Sequence, residues 1–134
     1  MKTEKLYEIA QQNDITVEGY PLPENKAVTV QIGDKYFVAI DPKVLCSNSQ
    51  EKVCLAHEIG HCRTGAVYTP GDNKQTLNKQ EARALKWAIE SLVPLDALRE
   101  AIKNGCTDLS SLSEHFEVTD DFMCQVLIHY QKTM

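Results

Sequence analysis

The chain has 134 residues, of which 43% are hydrophobic and 25% charged, and its formal net charge is −5. That length and apolar fraction are those of one globular domain, residues 1–134, with an ordinary core. The acidic balance argues against a nucleic-acid partner and leaves no polybasic stretch for anionic lipid.

The opening stretch MKTEKLYEIAQQND carries charge from its second residue and has no apolar run of signal-peptide length. No window is long and apolar enough to span a bilayer, so the expectation is a cytoplasmic protein with no membrane partner. Five cysteines occur without a CxxC pair. In a chain with no export signal they read as reduced thiols, mostly packed as small hydrophobes.

Lys2 to Gln12 places Leu6, Ile9 and Ala10 at helical spacing and predicts a short amphipathic helix. Ile15-Thr16-Val17 is a short strand candidate, and the stretch from Gly19 to Asn25, with two prolines, is a loop. Ala27 to Ile32 and Lys35 to Ile40 are rich in Val, Ile, Tyr and Phe and flank Gly33-Asp34, which predicts a β-hairpin. Ser49 to Arg63, capped by Ser49, is the next helix. Its Val53, Leu55, Ala56 and Ile59 surround most of the axis, the pattern of a buried helix. After a loop containing Pro70-Gly71, helices follow at Asn78 to Leu92, Leu95 to Lys103, Asp108 to Phe116 and Asp120 to Lys132. The sequence thus predicts an α+β fold: mostly helical, with a small β-hairpin or sheet.

Chemistry concentrates in His57-Glu58-Ile59-Gly60-His61. Two histidines four apart on a helix share a face one turn apart, so both imidazoles can reach one ion. Glu58 lies about 100° round the axis from His57, free to act beside the ion rather than on it. This is the HExxH arrangement of zinc metallopeptidases, with His57 and His61 as ligands of Zn2+ and Glu58 as catalytic residue. A catalytic zinc needs a third protein ligand and one open position. Glu81, twenty residues after His61, is the leading candidate, because Ala84, Leu85, Ala88 and Leu92 mark its face as the inward one. A buried unpaired carboxylate is costly, and a cation removes the cost. The alternative is that Glu81 starts its helix and answers the positive end of the dipole. Cys62, Cys54, His115, His129 and Asp72 are rivals for the third position. Of these, Cys62 should point past the ion, Cys54 could share the face of His57, His129 reads as a partnered core or interface histidine, and His115 as a surface residue.

These residues resemble the ImmA/IrrE family of bacterial metallo-endopeptidases, in its short phage- or prophage-type form. The likeness runs along nearly the whole chain: an N-terminal helix and hairpin, then His57 to Cys62, Thr64-Gly65 and Tyr68, then Glu81, Ala84, Trp87-Ala88 and Leu92-Val93-Pro94. The separation of His61 from Glu81 is also similar to that of thermolysin-type zinc peptidases. One departure is Leu85, where the family often has Asp or Asn four residues after the ligand glutamate, a residue suited to orienting a zinc-bound histidine. The stretch from about 106 to 134 resembles the family's helix-turn-helix-like tail.

The resemblance implies a zincin-like fold and a zinc-dependent endopeptidase that cleaves a protein substrate, a helix-turn-helix transcriptional repressor of a phage or mobile element. Tyr68, in the loop between the two metal-bearing helices, is the candidate oxyanion donor. The competing expectation is a non-catalytic zinc module that regulates or binds a partner; the presence of Glu58 separates the two, because a purely structural site does not need it.

Overall fold

The computed structural model describes residues 1–65, 71 and 73–132. Helix α1 (Thr3–Gln12) leads into strand β1 (Ile15–Gly19), then β2 (Ala27–Ile32), β3 (Lys35–Ile40) and a 3-10 turn at Val44–Cys46. Helices α2 (Asn48–Arg63), α3 (Lys74–Leu92), α4 (Leu95–Lys103), α5 (Leu109–Phe116) and α6 (Asp120–Gln131) complete the order. This is the α+β fold that the sequence predicts. No helix of the described residues is long and apolar enough to cross a membrane.

The hairpin forms where its residue pattern places it. Gly33 takes the first central position of the turn with a φ of 65°, which costs glycine nothing, while Asp34 stays outside the left-handed region, as in a type II′ turn. The sheet order is β1-β3-β2, with β1 parallel and β2 antiparallel to the central β3. Strand β2 is therefore an edge. Val38 and Ile40 of β3, with Ile15 of β1, are buried and fix which face of the sheet meets the core. Thr29 pairs with Val38, so its side chain lies on that same inner face. Val30 and Ile32 are 49% and 63% exposed.

Two helix starts differ from the sequence reading. Helix α2 is capped by Ser47, whose side chain accepts from the Gln50 amide at 3.4 Å, and Ser49 lies inside it. Helix α3 begins at Lys74 rather than Asn78, because the Asn73 side chain accepts from the Thr76 amide at 2.9 Å and satisfies a first-turn donor. The polar run Lys74-Gln75-Thr76 hides this extra turn from any apolar periodicity.

One hydrophobic cluster joins Leu6 of α1, Ile40 of β3, Leu55 and Ile59 of α2, and Ile89 and Leu92 of α3. Leu112, Phe116, Phe122, Met123 and Val126 of α5 and α6 belong to the same cluster. The Tyr130 hydroxyl donates to the Val93 carbonyl at 2.7 Å, tying α6 to the end of α3. On the other side, Lys52 of α2 donates to the Phe116 carbonyl at 2.7 Å and so meets an acceptor at the end of α5.

Candidate metal centre and cleft

Helix α2 is buried on most sides, with Leu55, Ala56 and Ile59 fully enclosed. It carries His57 and His61 one turn apart, their ring centroids 4.9 Å from each other. Helix α3 crosses it at an unusually close point. A Cβ on Gly60 would lie 2.6 Å from the carbonyl oxygen of Ala84, so at this contact backbone meets backbone. Gly60 immediately precedes His61, and Ala84 follows Glu81 by one turn. The close approach therefore brings the Glu81 carboxylate to both imidazoles. Its Oε2 lies 2.8 Å from His57 Nε2, and its Oε1 lies 3.2 Å from His61 Nε2.

One donor atom from each of His57, His61 and Glu81 falls within 4.8 Å of the others. Donors bound tetrahedrally to zinc at ~2.0–2.2 Å stand about 3.4 Å apart. A small opening of the imidazole–carboxylate contacts admits such an ion, and two imidazoles with one carboxylate are a donor set that zinc accepts. Glu81 is the eighth residue of α3 and lies beyond the first turn, where the helix dipole acts, so that dipole does not account for its position. Its helix packs inward through Ala84, Ala88 and Leu92, as the spacing predicts, and through Ile89, while Leu85 of the predicted face is only partly buried.

Among the described residues, the rival ligands do not join this group. Cys62 is buried in the hydrophobic cluster, and burial pushes its thiol up to about 12. Cys54 lines the same cleft as the histidines, and desolvation raises its thiol pKa too. His115 is exposed at the end of α5, and the half-buried His129 lies 3.7 Å from Glu90, nine residues beyond Glu81 on α3. Asp72 and Tyr68 lie outside the described residues. Leu85 packs against the core, so no carboxylate occupies that position to orient a histidine.

Glu58 is buried, 7% exposed, at the wall of the same cleft, which has a volume of about 560 Å³. One side of the cleft is α2 and Glu81, and the other is the loop from Glu24 and the first residues of β2. Oε2 of Glu58 is 3.6 Å from His57 Nδ1, beyond hydrogen-bond range. Its Oε1 accepts a hydrogen bond from Thr29 Oγ1 at 2.8 Å. Thr29 is a site residue that sequence reasoning missed. The alternation Val28, Val30, Ile32 makes the opposite face look like the buried one. The signal that could have found it is the register tie to β3, where Tyr36, Val38 and Ile40 alternate inward. Gly60 belongs to the motif and is plain in the sequence, but its partner Ala84 is visible in space alone.

A peptidase family model described as the IrrE N-terminal-like domain matches residues 7–127 of the chain. A search of curated proteins gives no match.

Proposed function

The chain belongs to the IrrE N-terminal-like family of metallopeptidases, and on that premise we propose that it is a zinc-dependent endopeptidase whose ion is held by His57, His61 and Glu81. The observation that carries this reading is the convergence of those three donor groups in the wall of a cleft that Glu58 also lines. When bound there, a divalent ion supplies Lewis acidity: it polarises a carbonyl and lowers the pKa of water towards ~7. Glu58 accepts the proton of the attacking water and delivers it to the departing amine. Its burial keeps bulk water from competing for that proton. Strand β2 offers its unpaired edge along the cleft, where an extended peptide can align by backbone hydrogen bonds. Tyr68 is proposed to donate to the developing oxyanion.

The proposed substrate is a helix-turn-helix transcriptional repressor of a phage or mobile element, in line with the family resemblance, and the protein is proposed to act in the cytoplasm. A zinc module without catalysis has no use for a buried carboxylate at the cleft wall, and this favours the enzyme.

The test is Glu58→Gln in zinc-loaded protein, with fluorescein-labelled casein and a panel of purified repressors as substrates. Zinc stoichiometry should stay at the wild-type value while the hydrolysis rate falls by ~10²–10⁴-fold. Hydrolysis that survives the change would remove Glu58 from the reaction.

A further inference from the structure

We propose that Thr29 is a positioning residue for Glu58: its hydroxyl holds Oε1 of the carboxylate so that Oε2 carries the proton. The inference rests on the endopeptidase reading above and adds to it a residue from the opposite wall of the cleft.

Three observations carry it. The Thr29 hydroxyl donates to Glu58 Oε1 at 2.8 Å, across twenty-nine residues of chain. A glutamate has three side-chain torsions, and a carboxylate that must meet a reacting water in one orientation needs at least one fixed contact. Threonine supplies that contact from a stiff base, because its branched Cβ restricts χ1.

The second observation is register. Thr29 faces inward because it pairs with Val38, which is 2% exposed. A slip of one residue would turn Val28 or Val30 to Glu58 instead. The hairpin turn at Gly33 and the buried alternation of β3 therefore aim one hydroxyl at one carboxylate.

The third is the residue type. Valine has the same shape and a higher strand preference, and the outer face of β2 uses it twice, at Val28 and Val30. The position that meets Glu58 has the hydroxyl instead. Engagement of Oε1 leaves Oε2, which lies 3.6 Å from His57 Nδ1, without a contact of hydrogen-bond length to that ring.

The experiment compares wild type, Thr29→Val, Thr29→Ser and Glu58→Gln as full zinc-loaded chains. Three quantities are read: kcat and KM on fluorescein-labelled casein, zinc affinity by chelator competition, and the affinity of acetohydroxamate by calorimetry. Acetohydroxamate gives up a proton when it binds zinc, so it senses a neighbouring carboxylate without any turnover. Thr29→Val should lower kcat on the order of 10- to 100-fold and weaken acetohydroxamate, with KM and zinc affinity unchanged and the melting temperature of the metal-free protein lowered only by the loss of one hydrogen bond. Thr29→Ser should restore both lost quantities.

If Glu58→Gln is inactive and Thr29→Val keeps its full kcat, Thr29 has no positioning role although the endopeptidase reading stands. If Thr29→Val loses zinc affinity and melting temperature in step with kcat, its role is packing and the proposal falls. If wild type and Glu58→Gln hydrolyse equally or not at all, the endopeptidase reading itself fails and takes the proposal with it.

Discussion

Helices α2 and α3 both carry donors of the proposed metal centre, yet they hold them by different means. In α2, two histidines stand four residues apart, so the helix itself fixes their separation. The helix is buried on nearly all sides, and His61 is 4% exposed. In α3 the donor is Glu81, whose side chain is 42% exposed, and burial follows a single stripe through Ala84, Ala88, Ile89 and Leu92. Nothing local to α3 aims Glu81 at the histidines. The aim comes from the contact of Gly60 with the Ala84 backbone. A site can thus combine a part specified by spacing along one helix with a part specified by how two helices touch.

The sharpest way to break this comparison is to remove one donor from each side. His61→Ala and Glu81→Gln should both weaken zinc binding by more than about 100-fold, the upper range for losing a mere supporting partner. They should differ in the metal-free protein. His61→Ala leaves a hole beside the core and should cost about 1–3 kcal/mol in denaturant unfolding, whereas Glu81→Gln, at a half-exposed position, should cost almost nothing.

Gly60→Ala attacks the contact instead of a donor. The new methyl meets a carbonyl oxygen of the backbone, which cannot rotate away as a side chain could. Overpacking of this kind costs about 1–3 kcal/mol. Zinc affinity should fall as well, though every donor is still present. A Gly60→Ala protein with wild-type zinc affinity would show that α3 needs no close approach to deliver Glu81.

Lys52 tests how far the burial of α2 extends electrostatically. Desolvation lowers its pKa from the ordinary 10.5, and Glu117 partly opposes the shift. In the window just below 10.5 the unfolded chain then binds more protons at this lysine than the folded chain does, so folding is favoured as pH rises. Lys52→Met should cost about 1–2 kcal/mol near neutral pH through the lost bond to the Phe116 carbonyl. The margin of wild type over this variant should widen as pH climbs through that window. A margin that narrows there would contradict the burial argument.

The smallest effects are at the helix starts. Asn73→Ala should cost about 1 kcal/mol, and Ser47→Ala less, because the Asn73 bond is 2.9 Å and the Ser47 bond 3.4 Å. Thermal unfolding of the two variants side by side would order them.

The sequence made the elements themselves largely legible. Strands β2 and β3 and helix α4 have the limits that their residues predict, since turns at Gly33-Asp34 and Asn104-Gly105 punctuate them. Strand β1 was readable as a strand, but its parallel pairing with β3 was not, because a parallel partner leaves no turn signal between neighbours. The starts of α2 and α3 lie earlier in the chain than their apolar pattern suggests, because polar first turns carry no apolar period. Spacing also marked Glu81 as inward-facing, whereas its side chain is 42% exposed at the cleft, and spacing could not say what Glu81 would meet.

By itself, then, the sequence determined the features that periodicity dictates: an HExxH helix with two imidazoles on one face, a carboxylate beside them, and a hairpin before it. The tertiary structure decided that Glu81 closes on those imidazoles and that Thr29 rather than its valine neighbours turns inward to Glu58. The physical reason is the same in both cases. A period of 3.6 or 2 fixes which side chains share a face, while the distance between two faces depends on which backbones can touch, and here on a glycine and an alanine carbonyl twenty-four residues apart.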